Sequence, residues 1–178
     1  DLKDYLESIM VKKDSFLAEH YVGELVRTND GKLKWRLNND KFPLRSYDKD
    51  NANREGCLEI FEMPAENANG EIAHGRYIAG IDPIDADSGT SLFSIQVMDL
   101  FTDRIVAEFS GRPRLAEEAY EISLRLLEFY NAVANYEKNL KGLFSYFDKK
   151  NALFRLCDTP QILKDMQMTK DMGYGNTS

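Results

Sequence analysis

The stretch RYIAGIDPIDADSGTS, residues 76–91, constrains the fold more than any other part of the chain. A short, nearly continuous apolar run ends on Asp82, and a loop carrying Asp85 and Asp87 follows. An apolar run of this length, bounded by turn-forming residues, is the pattern of a strand buried on both faces. Such a strand requires neighbours in a sheet and layers packed on it. It also brings a carboxylate to a strand end, where burial without a partner is costly. Two readings are open: a turn that uses these acids as caps, or a cation held at the strand end.

The remaining segments supply the neighbours. Leu2, Leu6, Ile9 and Met10, then Phe16, Leu17, Tyr21 and Leu25, recur at helical spacing and predict helix over residues 1–27. Leu33, Trp35 and Leu37 alternate with Lys and Arg, which predicts a half-buried strand over 32–37. Residues 38–55 are polar and irregular. GCLEIFEMP (56–64) reads as a strand stopped by Pro64. Two alternating runs follow the first apolar one: Phe93, Ile95 and Val97, then Ile105, Ala107 and Phe109. Residues 114–130 carry a helical stripe of Leu115, Ala119, Ile122, Leu126 and Phe129. AVANYE (132–137) reads as a strand, KNLKGLFSYFDKK as a helix, and NALFRLCD (151–158) as one more strand. From residue 76 the order is β-β-β-α-β-α-β. A meander followed by βα units implies an α/β fold with a mixed sheet and flanking helices. That is the order of a ribonuclease H-like core. Residues 1–55 are expected to form a junction region of helix and strand. Residues 56–178 are expected to form the ribonuclease H-like domain, cut short at its C-terminus, in a fragment of something longer.

Composition narrows the function. The chain has 178 residues, enough for one domain with a real core, and no apolar run approaches the roughly 20 residues of a membrane span. Cys57 and Cys157 lie far apart, and His20 and His74 lie far from both, so neither a disulfide framework nor a zinc site of usual spacing is expected. A net charge of −7 argues against binding nucleic acid with the whole surface. It leaves room for a local basic strip, or for acids that hold metal ions which in turn meet phosphate.

Asp82 and Glu137 end two strands that this order makes parallel neighbours, about 4.8 Å apart. Two carboxylates so placed repel unless a cation sits between them. Mg²⁺ takes oxygen ligands and keeps several waters, and two such ions about 3.5–4 Å apart hold the attacking water and the leaving oxygen of a phosphodiester. Asp82 is therefore better explained as a metal ligand than as a turn residue. Glu137 is its partner, or else a first-turn acid favoured by a helix dipole. Asp85 and Asp87 read first as loop caps and Asp158 as a turn residue. Asp87 and Asp158 remain additional candidate ligands. Lys138 and Lys141, beside Glu137, are either a solvated face or phosphate contacts.

A family resemblance rests on the same residues. Gly56, Leu58, Ile60 and Pro64 match a G-x-L-x-I-x-x-x-P strand; Tyr77, Gly80, Asp82 and Pro83 match Y-x-x-G-x-D-P; Glu137, Asn139 and Gly142 match E-x-N-x-x-G. In this order, over about residues 56–160, the motifs resemble the nuclease domain of tailed-phage terminase large subunits, most closely those of crAss-like gut phages. The resemblance implies a Mg²⁺- or Mn²⁺-dependent endonuclease that cuts concatemeric double-stranded DNA with two metal ions, Asp82 and Glu137 being ligands. It implies an ATPase motor domain, a portal and a small terminase subunit as partners, and the host cell cytoplasm during phage assembly as the location. It also implies a third acid near the end of the domain, which this chain is expected not to reach, so the isolated fragment is expected to be nearly inactive; no G-x-x-x-x-G-K-[ST] motif is present in these residues. Two further readings stay open: a non-catalytic docking module of the same fold, and another ribonuclease H-like nuclease such as a resolvase or transposase.

Overall fold

The computed structural model describes residues 21–38, 40, 43–44, 54–138 and 140–157. Its seven strands form one mixed sheet. β1 (Tyr21–Arg27) and β2 (Leu33–Leu37) make a hairpin, and β3 (Cys57–Ile60) pairs antiparallel with β1. β4 (Tyr77–Asp82), β5 (Phe93–Asp99) and β6 (Arg104–Gly111) form an antiparallel meander, with β6 against β3. Helix α1 (Ala116–Phe129) then carries the chain to β7 (Val133–Tyr136), which lies parallel to β4. A parallel partner requires a crossover of this kind, because a tight turn cannot reverse the direction of the chain twice. Helix α2 (Gly142–Lys149) follows. Across the sheet the order is β2-β1-β3-β6-β5-β4-β7. The α/β class with a mixed sheet and flanking helices is therefore as expected.

The core forms where the period-two stripes of the strands meet the period-3.6 stripes of the helices. Tyr77, Ala79 and Ile81, Phe93, Ile95 and Val97, and Ala107 and Phe109 are all buried, in one cluster with Leu124, Leu126 and Leu127 of α1 and Leu143 and Phe147 of α2. Each Val, Leu, Ile or Phe among them contributes about 1.5–3 kcal/mol on leaving water.

Three expectations are corrected. Residues 21–27, expected as the end of a helix, are strand β1; residues 1–20 lie outside the described residues. Tyr21 and Leu25 fit a helical spacing, but Tyr21, Gly23 and Leu25 also alternate, and pairing with both β2 and β3 decides in favour of the strand. Second, β4 is not buried on both faces. Tyr77, Ala79 and Ile81 are buried while Ile78, Gly80 and Asp82 are exposed, Ile78 at 38%. The strand buried at every position is β3. Third, residues 151–157 of the expected strand NALFRLCD are not a strand, and Asp158 lies outside the described residues. Asn151 takes a positive φ of 55° at the end of α2, Leu153–Arg155 form a single 3₁₀ turn, and only Leu156 bridges to Ala134 of β7. Hairpin β1–β2 and strands β3–β7 share one sheet, so the sheet runs across the expected boundary at residue 55.

An ion pair between buried Asp99 and half-buried Arg76 fastens β4 to β5 at one end of these strands. Arg76 donates to Asp99 Oδ2 from Nε (3.1 Å) and Nη2 (2.7 Å), while Asp99 Oδ1 accepts the Phe101 N–H at 2.8 Å. The Arg76 guanidinium hydrogen-bonded to Asp99 holds its carboxyl below the ordinary carboxylate range, against the opposing effect of burial. A depressed value stabilises the fold above the unfolded-state pKa of about 3.9, and that contribution disappears as pH falls through the lower folded value. Asp99→Asn should therefore lose about 1 kcal/mol at neutral pH and show a flatter acid limb in urea midpoints below about pH 4. An acid limb as steep as that of the wild type would remove Asp99 from this role.

Candidate metal centre

Strands β4 and β7 run parallel with Ile78 opposite Val133, Gly80 opposite Asn135 and Ile81 opposite Tyr136. The next position on each is Asp82 and Glu137. The Glu137 N–H donates to the Ile81 carbonyl at 3.3 Å, so the pairing continues up to the two acids. Neighbouring positions of this kind lie about 4.8 Å apart. Ile81 and Tyr136 are buried, whereas Asp82 and Glu137 are exposed. Alternation thus puts Asp82 on the sheet face away from the core, in line with Ile78 and Gly80.

That face is open beside the acids. A side chain added at Gly80 would meet nothing within 4 Å, and Gln96 and Asn135, which flank Gly80 on the adjoining strands, are exposed. Asp82 makes no side-chain hydrogen bond or ion pair among the described residues.

Asp85 and Asp87 are committed. Asp85 accepts the Lys141 N–H at 3.2 Å on Oδ2, and the Gly142 N–H at 2.6 Å and the Tyr120 hydroxyl at 3.2 Å on Oδ1. Asp87 Oδ1 accepts the Ala116 N–H at 2.8 Å. Lys141 and Leu115 occupy the N-cap positions of α2 and α1, and neither offers a side-chain cap. The loop after β4 therefore caps both helices, satisfying amides that would otherwise lack acceptors and placing negative charge at the positive end of each helix dipole. Gly142 has its own reason: a side chain there would run into the Asp85 carboxylate and the Tyr120 hydroxyl. Arg112 ties the loop across its middle, donating to the carbonyls of Ala86 (2.6 Å) and Ser91.

The other candidates divide. Asp158 and Asn139 lie outside the described residues. Lys138 is only 8% exposed, with its ammonium 5.5 Å from the Tyr136 ring centroid, so it does not present the open strip expected of it; Lys141 is exposed. Among the described residues no group of three or more His, Cys, Asp or Glu could hold an ion. Asp82 and Glu137 offer oxygen donors alone. That chemistry fits a hard ion such as Mg²⁺ or Mn²⁺ whose remaining positions are filled by water.

Sequence reading did not find Arg112 and Tyr120. Arg112 stands in SGRP, which reads only as a break after a strand, and Tyr120 stands within a helical stripe, where an aromatic residue signals core. Their roles depend on the loop brought to them from some 30 residues earlier.

No protein-family model matches this chain, and no curated protein matches it significantly. No helix among the described residues is long and apolar enough to cross a membrane.

Proposed function

We propose that the chain is the ribonuclease H-like nuclease domain of a tailed-phage terminase large subunit, which cleaves double-stranded DNA with Mg²⁺ or Mn²⁺. The observation that carries this reading is the register of β4 and β7, which makes Asp82 and Glu137 neighbours on an open sheet edge. The strand order β6-β5-β4-β7, with a helical crossover before a parallel fourth strand, is the order expected of that fold. The motif residues Gly80 and Gly142 have physical reasons in keeping with the reading: open space above one and a capping carboxylate in the place of a side chain at the other.

On this reading Asp82 and Glu137 would hold the metal, whose chemistry there would be to lower the pKa of a bound water and to offset charge on the leaving oxygen. The open floor of Gly80, Gln96 and Asn135 leaves room for a sugar-phosphate backbone. Lys141 meets a phosphate, and binding weakens as salt rises. With a net charge of −7, affinity for DNA depends on the bound cations as well as on basic side chains. The motor domain, portal and small subunit are its partners in packaging.

The test is a thermal melt with and without Mn²⁺. An ion that binds the native state alone at a hundred times its Kd stabilises by about 2.7 kcal/mol. Wild type should show the shift and Asp82→Asn should lose most of it. An equal shift in both proteins would remove Asp82 from the metal site.

A further inference from the structure

Helix α1 covers the sheet unevenly. Its C-terminal half is tied to β1, where Arg125 donates to the Leu25 carbonyl at 2.8 Å and Glu128 pairs with Arg27 at 2.6 Å. Beside its N-terminal half a cleft of about 480 Å³ opens between the helix and strands β1 and β3. The floor is apolar, formed by Leu25, Leu58 and Phe109, with Ile122 and Leu115 on the helix side. Leu115 is 46% exposed and lines the cleft, so its side chain is open to a ligand there. The rim carries Glu55, Glu117 and Glu118, and none of these three makes a side-chain hydrogen bond or ion pair among the described residues. Glu121, deeper in, is already held by Arg125 (2.7 Å) and Tyr146 (2.6 Å).

We propose that this cleft docks a basic amphipathic segment of a partner protein. One aliphatic or aromatic anchor packs on Leu25, Leu58 and Phe109, and flanking Lys or Arg side chains meet Glu55, Glu117 and Glu118. The apolar floor gives no purchase to a purely ionic ligand, and the volume is that of a site for one or two large side chains. The acidic rim repels phosphate, which excludes nucleic acid and anionic lipid and selects a cationic partner. The three carboxylates are spread over both walls of the cleft, so one compact cation cannot satisfy them while a peptide can. An exposed leucine ringed by charge is also the arrangement of an interface anchor with a polar rim. The cleft opens on the helix-covered side of the sheet and Asp82 faces the other side, so a docked partner and a bound substrate do not compete. This inference does not depend on the nuclease reading.

The probe is a fluorescein-labelled peptide of about ten residues that alternates pairs of lysine and leucine, long enough to reach across one interface patch. Its control carries glutamate in place of lysine. Titrated against the full chain, the lysine peptide should bind and shift the amide resonances of Leu58, Leu115 and Ile122, and the glutamate peptide should not bind. Removing two exposed charges in Glu117→Gln/Glu118→Gln should weaken binding about tenfold at unchanged melting temperature. Leu115→Ser should weaken it independently. Four results would overturn the proposal: no binding of the lysine peptide, resonance shifts clustered around Asp82 and Glu137 instead, unchanged affinity in both variants, or octylammonium binding as tightly as the peptide.

Discussion

Glu137→Ala should reduce Mn²⁺-dependent plasmid cleavage by about a thousandfold, because a metal site of this kind supplies several kcal/mol of transition-state stabilisation. Glu137 follows the last residue of β7, and its backbone N–H, not its carboxylate, continues the pairing with β4. Its side chain is exposed. The melting temperature of the variant in the absence of metal, measured beside its activity, separates a loss of chemistry from a loss of folding. The measurement is conversion of supercoiled to nicked and linear plasmid, on this chain and on the product of its full reading frame, in Mn²⁺ and in EDTA. Full activity in Glu137→Ala would refute the pairing of Glu137 with Asp82. Cleavage that persists in EDTA would refute the metal route itself.

Asp85→Ala should cost about 2 kcal/mol, which for a chain of this size lowers the melting temperature by about 4–8 °C. The substitution removes the acceptors of the Lys141 and Gly142 amides, and the longer branch of a hydrogen bond that the Tyr120 hydroxyl shares between Asp85 and the Ile84 carbonyl. It also withdraws a negative charge from the start of α2. Tyr120 retains its bond to the Ile84 carbonyl, which limits the loss. Asp85→Asn keeps one acceptor oxygen and should recover part of the stability. Equal stability of the Ala variant and wild type, measured in urea, would show that water satisfies those amides as well as the carboxylate does. Because the start of α2 lies just beyond Glu137, the Ala variant should also bind Mn²⁺ more weakly.

Long strands and the long helix were legible because their periods are clear: Phe93, Ile95 and Val97 form a strand stripe, and the spacing of Ala119, Ile122, Leu126 and Phe129 marks a helix. The buried face of that helix was read only in part: Ala119 and Leu126 are buried, but Leu124 and Leu127 complete the core while Leu115 is exposed and Ile122 and Phe129 are half-buried. Segment 21–27 was not legible, since two apolar residues four apart satisfy both periods and only the pairing with β3 separates them. The open second face of β4 was hidden for a related reason. An apolar residue such as Ile78 looks the same in sequence whether or not anything covers it. At the candidate site, Asp82 and Glu137 could be paired from strand order alone, because parallel neighbours with aligned ends leave little freedom. Asp85 and Asp87 could be read as caps in kind but not in target: the amides they serve lie 57 and 29 residues away. No local window contains both ends of such a bond.

Those separations bear on when the site comes into being during synthesis. The chain leaves the ribosome N-terminus first, at some 5–20 residues per second. Asp82 emerges before the residue beside it, Glu137, and before the amide that Asp85 must seize, at Gly142, which lies 60 residues further along. Until then β4 has its antiparallel partner β5 but no β7, and the loop after Asp82 has no helix ends to grip. A nascent chain therefore carries a lone carboxylate where the finished protein carries a pair. Metal affinity would, on the nuclease reading, switch on late, once the segment through α2 has cleared the exit tunnel. On the nuclease reading, a partly made polypeptide is a harmless one.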